Sequence, residues 1–141
     1  MSNRATPEAP VGHPLRFTVI AHGDRSVLGP ISGERLDGLV ARTPLERGDH
    51  VLELGCGKGD LIARLLSRWP EATAEGFDRN PWFLAAARAA AERAGVASRV
   101  SFIETEGAEW RRDAFGVAGT VFSSQSLVFS SHSNQQLTTD N

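Results

Sequence analysis

Cysteine is nearly absent from this chain. A single residue, Cys56, occurs among 141, so no internal disulfide can form. It lies inside a glycine-rich stretch, where a small side chain suits a tight turn, and no histidine stands close in sequence to activate a thiol. Long apolar runs are missing as well. No segment near the N-terminus has the continuous apolar character of a secretory leader, and no stretch is long enough to span a bilayer. The expected compartment is therefore the cytoplasm, with no membrane partner. Nor does one sign of charge dominate. The 15 Lys and Arg against 17 Asp and Glu give a formal net charge of -2, which leaves no general footprint for nucleic acid. No metal-ligating set is assigned. Charge then all but vanishes towards the end, where Asp140 is the only charged residue from Ala114 onward.

What remains is ordinary for a folded domain: 40% of residues are hydrophobic and 23% charged. The length suits one small domain. One stretch organises the rest, Val51-Leu52-Glu53-Leu54-Gly55-Cys56-Gly57-Lys58-Gly59-Asp60. It opens as a short apolar run, which predicts a buried parallel strand. It then breaks into three glycines spaced two apart and continues as an amphipathic helix. Leu61, Ile62, Leu65, Leu66 and Trp69 share one face of that helix, Asp60 is its expected N-cap, and Pro70 ends it. Strand, glycine turn and helix open a nucleotide-binding α/β unit.

The spacing narrows the ligand. A dinucleotide loop reads G-x-G-x-x-G and sets a pyrophosphate at the helix N-terminus. Here it reads G-x-G-x-G, with Asp60 where the third glycine would fall and Glu53 two residues before the first. Carboxylates repel a pyrophosphate and suit a cation. S-adenosylmethionine, a nucleoside with a sulfonium and an ammonium and no phosphate, fits that requirement. Nineteen positions beyond Gly59, at the end of the next predicted strand, stands Asp78. That is near the offset of about 20 residues at which an acid reads a ribose. Asn80 already supplies the N-cap of the following helix with Pro81 at its first position, which leaves Asp78 free for a ligand.

From Val51 to Gly59 the chain resembles the class I S-adenosylmethionine-dependent methyltransferases, whose first motif reads hydrophobic-hydrophobic-acid-x-G-x-G-x-G. The resemblance extends over about residues 48–113. It implies a Rossmann-like doubly wound parallel sheet and S-adenosylmethionine as cofactor. It implies Glu53, Gly55, Cys56, Gly57 and Gly59 of the loop as cofactor-binding residues. Asp78 and Arg79 join them after the second strand, and Glu106 and Gly107 after the third. Many members have Gly-Asp-Ala at that last place, so Glu106 either reaches the adenine or belongs to an ordinary polar loop. The acceptor is expected to be a small molecule, and no catalytic base is assigned. Two rival readings remain: a non-catalytic nucleoside-binding fragment, and a nicotinamide-dependent reductase.

The other elements follow from periodicity and punctuation. Residues 1–47 form a lead-in, with its first residues mostly disordered. Leu15 to Ile20 alternate as a short strand or helix would, and Ile31 to Thr43 form a helix capped by Ser32. His13, Arg16 and His22 are either pocket residues or solvated ones. Residues 48–122 form the binding domain, with a helix from Pro81 to Ala94 stopped by Gly95 and a third strand at Val100 to Glu104. Trp69 is read as core; Trp110 either flanks the adenine or anchors the loop. Val117 to Phe122 are expected as a fourth strand beside the first, in the order 3-2-1-4. Residues 123–141 are expected as a disordered polar tail. On this reading the sheet is incomplete, by truncation or frameshift rather than by completion from a partner chain, and its bare edge invites self-association.

Overall fold

Val51 and Leu52 have almost no solvent exposure, so the strand that carries them must be covered on both sides. In the computed structural model, which describes residues 8–29, 31–106, 118–121 and 127–131, this strand is β1 (His50–Leu54). Two helices precede it, α1 (Arg16–His22) and α2 (Gly33–Ala41). Ser32 caps α2 as expected, its hydroxyl accepting from the Arg35 amide at 3.2 Å, and Leu36 and Val40 turn inward. The alternation at Leu15 to Ile20 resolves as helix.

After β1 come α3 (Asp60–Arg68), β2 (Thr73–Asp78), α4 (Pro81–Arg93) and β3 (Val100–Glu104). The three strands pair in parallel, β1 on β2 and β2 on β3. Parallel neighbours need a crossover, and α3 and α4 supply it. Ile62, Leu65 and Leu66 of α3 meet Val51, Ala74, Leu84, Ala87 and Phe102 in one core. Trp69 packs against it from the edge. Of the predicted inner face of α4, Phe83, Leu84, Ala87 and Ala91 are buried and Ala94 is exposed. Arg99, in the short turn before β3, closes the end of α3. Its guanidinium donates to the carbonyls of Leu66, Trp69 and Ala72 at 2.8, 3.2 and 2.9 Å.

The glycine at position 59 explains how closely α3, α4 and β3 approach. A Cβ there would stand 2.9 Å from the Ala87 Cβ and 3.1 Å from the Phe102 ring, and φ is +72°. Gly59 is also the N-cap of α3. Asp60, expected in that role, is instead the first helical residue, and its carboxylate accepts from Arg64 Nε at 2.7 Å.

The far side of the sheet departs from the expected order. A strand does form at β4 (Ala118–Val121), but it lies at the outer position. The place beside β1 belongs to β5 (Leu127–Ser131), which runs antiparallel to both β1 and β4, giving β3-β2-β1-β5-β4. So the stretch read as a disordered tail contains a strand. The reason is local. Leu127-Val128-Phe129 is a short apolar run inside a polar composition, and it suffices for a strand. Five residues separate β4 from β5, enough for a hairpin but too few for the crossover that a parallel neighbour requires.

Candidate functional site

Parallel pairing aligns the carboxyl ends of β1, β2 and β3 on one rim. Leu54 is level with Phe77, and Phe77 with Ile103. The glycine loop therefore emerges next to Asp78, and the residues after Glu104 emerge on its other side. Gly55, Gly57 and Gly59 all take left-handed backbone angles, with φ of 71°, 54° and 72°.

The loop's amides are directed inward. Gly55 and Cys56 both donate to the Phe77 carbonyl, at 2.7 and 3.0 Å. Gly57 donates to Asp78 Oδ2 at 2.8 Å, and Gly59 to the Cys56 carbonyl at 2.9 Å. A phosphate site needs such amides pointing outward. Asp60, in the first turn of α3, adds a negative charge where a phosphate would sit.

Asp78 is not free in the sense its position suggested. One oxygen holds the Gly57 amide and the other holds the Asn80 amide, each at 2.8 Å. An ionised carboxylate has about four acceptor sites, so half its capacity remains for a ligand at the rim. Asn80 caps α4 as expected, its Oδ1 accepting from Trp82 and Phe83 at 3.1 and 3.2 Å.

Glu53 is buried within β1, in register with Gly76. The Cys56 side chain turns into the core. Burial first, then the neighbouring charges of Glu53 and Asp78, push its thiol far above its usual range. A buried thiol held neutral in this way is a poor nucleophile. Arg79 and Glu106 are exposed, and Glu106 ends the described segment after β3. Gly107 and Trp110 lie outside the described residues. Among the described residues no cluster of metal-ligating side chains occurs, and no helix is long and apolar enough to cross a membrane.

The lead-in residues are partly buried and held. His13 packs edge-on against Trp82 with ring centroids 4.5 Å apart, and His22 against Phe83 at 5.8 Å. Arg16 lines a pocket of about 230 Å³ with Glu8, Val19 and Asp24. Lys58, which the motif left as a variable position, is 7% exposed and reaches back to this lead-in. Its one sequence signal is a long cation between two glycines that a solvated loop would not bury.

Three parallel strands with crossover helices and a glycine turn after the first strand define a Rossmann-like α/β domain. Over residues 51–139 the chain matches the family described as methyltransferase domain, and it belongs to that family. It is 50% identical over 52 residues to trans-aconitate 2-methyltransferase of Escherichia coli O157:H7 (strain EC4115 / EHEC). That segment is 37% of this chain and 21% of the relative, so the chain spans about a fifth of the curated protein it matches. Among solved structures it resembles a SAM-dependent methyltransferase from Thiobacillus denitrificans in complex with S-adenosyl-L-homocysteine. The TM-score is 0.65 at 29% identity, covering 76% of this chain and 41% of that one. A SAM-dependent methyltransferase from Geobacter sulfurreducens, in complex with the same compound, gives 0.58 at 34% identity, covering 62% and 34%.

Proposed function

We propose that the rim formed by Gly55 to Gly59, Asp78 and Glu106 binds S-adenosylmethionine, and that the chain serves methyl transfer to a small-molecule acceptor. The observation that carries this reading is the inward turn of the loop amides. A loop whose N–H groups already serve Phe77 and Asp78 offers little to a pyrophosphate. It offers bare backbone, flanked by the carboxylates of Glu53 and Asp78, to a cationic nucleoside. The solved methyltransferases quoted above, which hold S-adenosylhomocysteine, support the same ligand class. In this reading Asp78 accepts from the ribose hydroxyls with its remaining lone pairs. Gly55 is exposed, so the ligand can lie against it. Glu106, two residues past the end of the third strand, takes the adenine side.

When bound, the cofactor supplies a methyl group already activated by its sulfonium. What remains for the protein is to hold the acceptor in line and exclude water. The relative's name supports a small carboxylic acid as acceptor class.

Isothermal titration with S-adenosylhomocysteine, in competition with NAD, tests the cofactor assignment. The expected outcome is saturable binding of the homocysteine compound and displacement by NAD only in large excess. Equal or tighter NAD binding would restore the reductase reading.

A further inference from the structure

Lys58 is a largely buried ammonium at the centre of the glycine loop, and it forms no ion pair among the described residues. Its Nζ donates to the carbonyl of His22 at 3.3 Å and to that of Gly23. Both carbonyls belong to the end of α1, and that of His22 also accepts from the Arg25 amide at 2.9 Å. Burial lowers the Lys58 pKa from the usual lysine range, and the nearby Asp24 opposes that shift. Desolvating an ammonium is unfavourable unless its hydrogens are used. Here they are used to hold the lead-in.

A second contact acts at the same place. A Cβ on Gly57 would stand 2.6 Å from Leu28 Cδ1, so the Leu28 side chain lies directly on the loop backbone. Leu28 also packs against the cluster of Ala9, Val19 and Phe83. The Phe83 ring lies 5.9 Å from Lys58 Nζ. The segment from α1 to Leu28 thus touches the loop and the start of α4, the two elements joined through Asp78.

We propose that Lys58 is the positioning residue that fastens residues 16–28 as a lid over the glycine loop, so that cofactor exchange requires it to release the carbonyls of His22 and Gly23. This rests on the cofactor reading above. The lid itself is testable without any cofactor.

Lys58→Met keeps the chain's length and suits the burial, but it removes the donors. Lys58→Arg keeps them. Arg25 is exposed just after α1 and reports lid opening as a tryptic cut in the ligand-free protein. The Met variant is expected to be cut at Arg25 about tenfold faster than wild type, and to release S-adenosylhomocysteine about tenfold faster in stopped flow, the scale of a lost charged hydrogen bond. The Arg variant is expected to stay near wild type in both. Wild-type cutting and release by a folded Met variant would overturn the proposal. So would an Arg variant that behaves like Met. Should the Met variant fail to fold, Leu28→Ala loosens the lid from the other side. It is expected to speed both rates, and an unchanged pair of rates would overturn the proposal. Failure of wild type to bind S-adenosylhomocysteine would remove the cofactor reading alone, because cutting at Arg25 still decides the latch.

Discussion

The carboxylate of Asp78 has two duties. It fixes the loop through Gly57, and in the proposed reading its remaining lone pairs take the ribose hydroxyls. Asp78→Ala is therefore expected to weaken S-adenosylhomocysteine binding by about 1.5–3 kcal/mol and also to lower the urea midpoint of folding. Asp78→Asn, which keeps one acceptor oxygen, should fall between. Unchanged affinity in a folded Ala variant would show that the ribose is held elsewhere. The place of Asp78 at the end of β2 was legible in the sequence because its offset from the loop is fixed by one helix and one strand. Its two internal bonds were not, since they depend on the left-handed turn at Gly57. Lys58 was illegible for another reason: the Gly23 carbonyl it meets is 35 residues away in sequence. Cys56 gives a pH prediction. Its folded pKa lies above the unfolded value, so the neutral thiol favours the fold. That contribution is fully present below the unfolded pKa of about 8.5 and declines as pH rises beyond it, because only the unfolded chain then ionises. Between about pH 8 and about pH 10 wild type should lose more stability than Cys56→Ala, measured by urea titration.

Among elements, α3 shows how much a pattern can specify. Its inward face, Ile62, Leu65 and Leu66, was readable from spacing alone. Its start was off by one residue because the sequence rule favours an acid at the N-cap, whereas the close approach of Ala87 and Phe102 admits only glycine at 59. Gly59→Ala is expected to cost about 1–3 kcal/mol of stability from crowding, with a further penalty for the left-handed angle, read from chemical denaturation. A loss of a few tenths would mean that α4 moves away freely. The hairpin of β4 and β5 was half legible. The first strand stood out in sequence; the second was diluted by its serine-rich surroundings.

For the whole molecule, the proposed nucleoside site draws only on the ends of β1, β2 and β3, and it assigns no described residue to the acceptor. Catalysis by proximity requires an acceptor held in line. The 141-residue chain on its own is accordingly expected to bind S-adenosylhomocysteine but to turn over acceptors, trans-aconitate included, well below about 1 per second. A radiolabelled methyl-transfer assay on the purified chain checks this; ordinary enzymatic turnover would reveal an acceptor site beyond the three strand ends.

The antiparallel course of β5 has a practical side. Ser131 is level with His50, so the polypeptide leaves the sheet at the end remote from the glycine turn, while the lead-in lies on that turn. An affinity handle or surface anchor joined directly after Ser131 would start from the end of the sheet remote from that turn. The same handle fused ahead of residue 8 would hang from the very segment whose opening a kinetic experiment is meant to time.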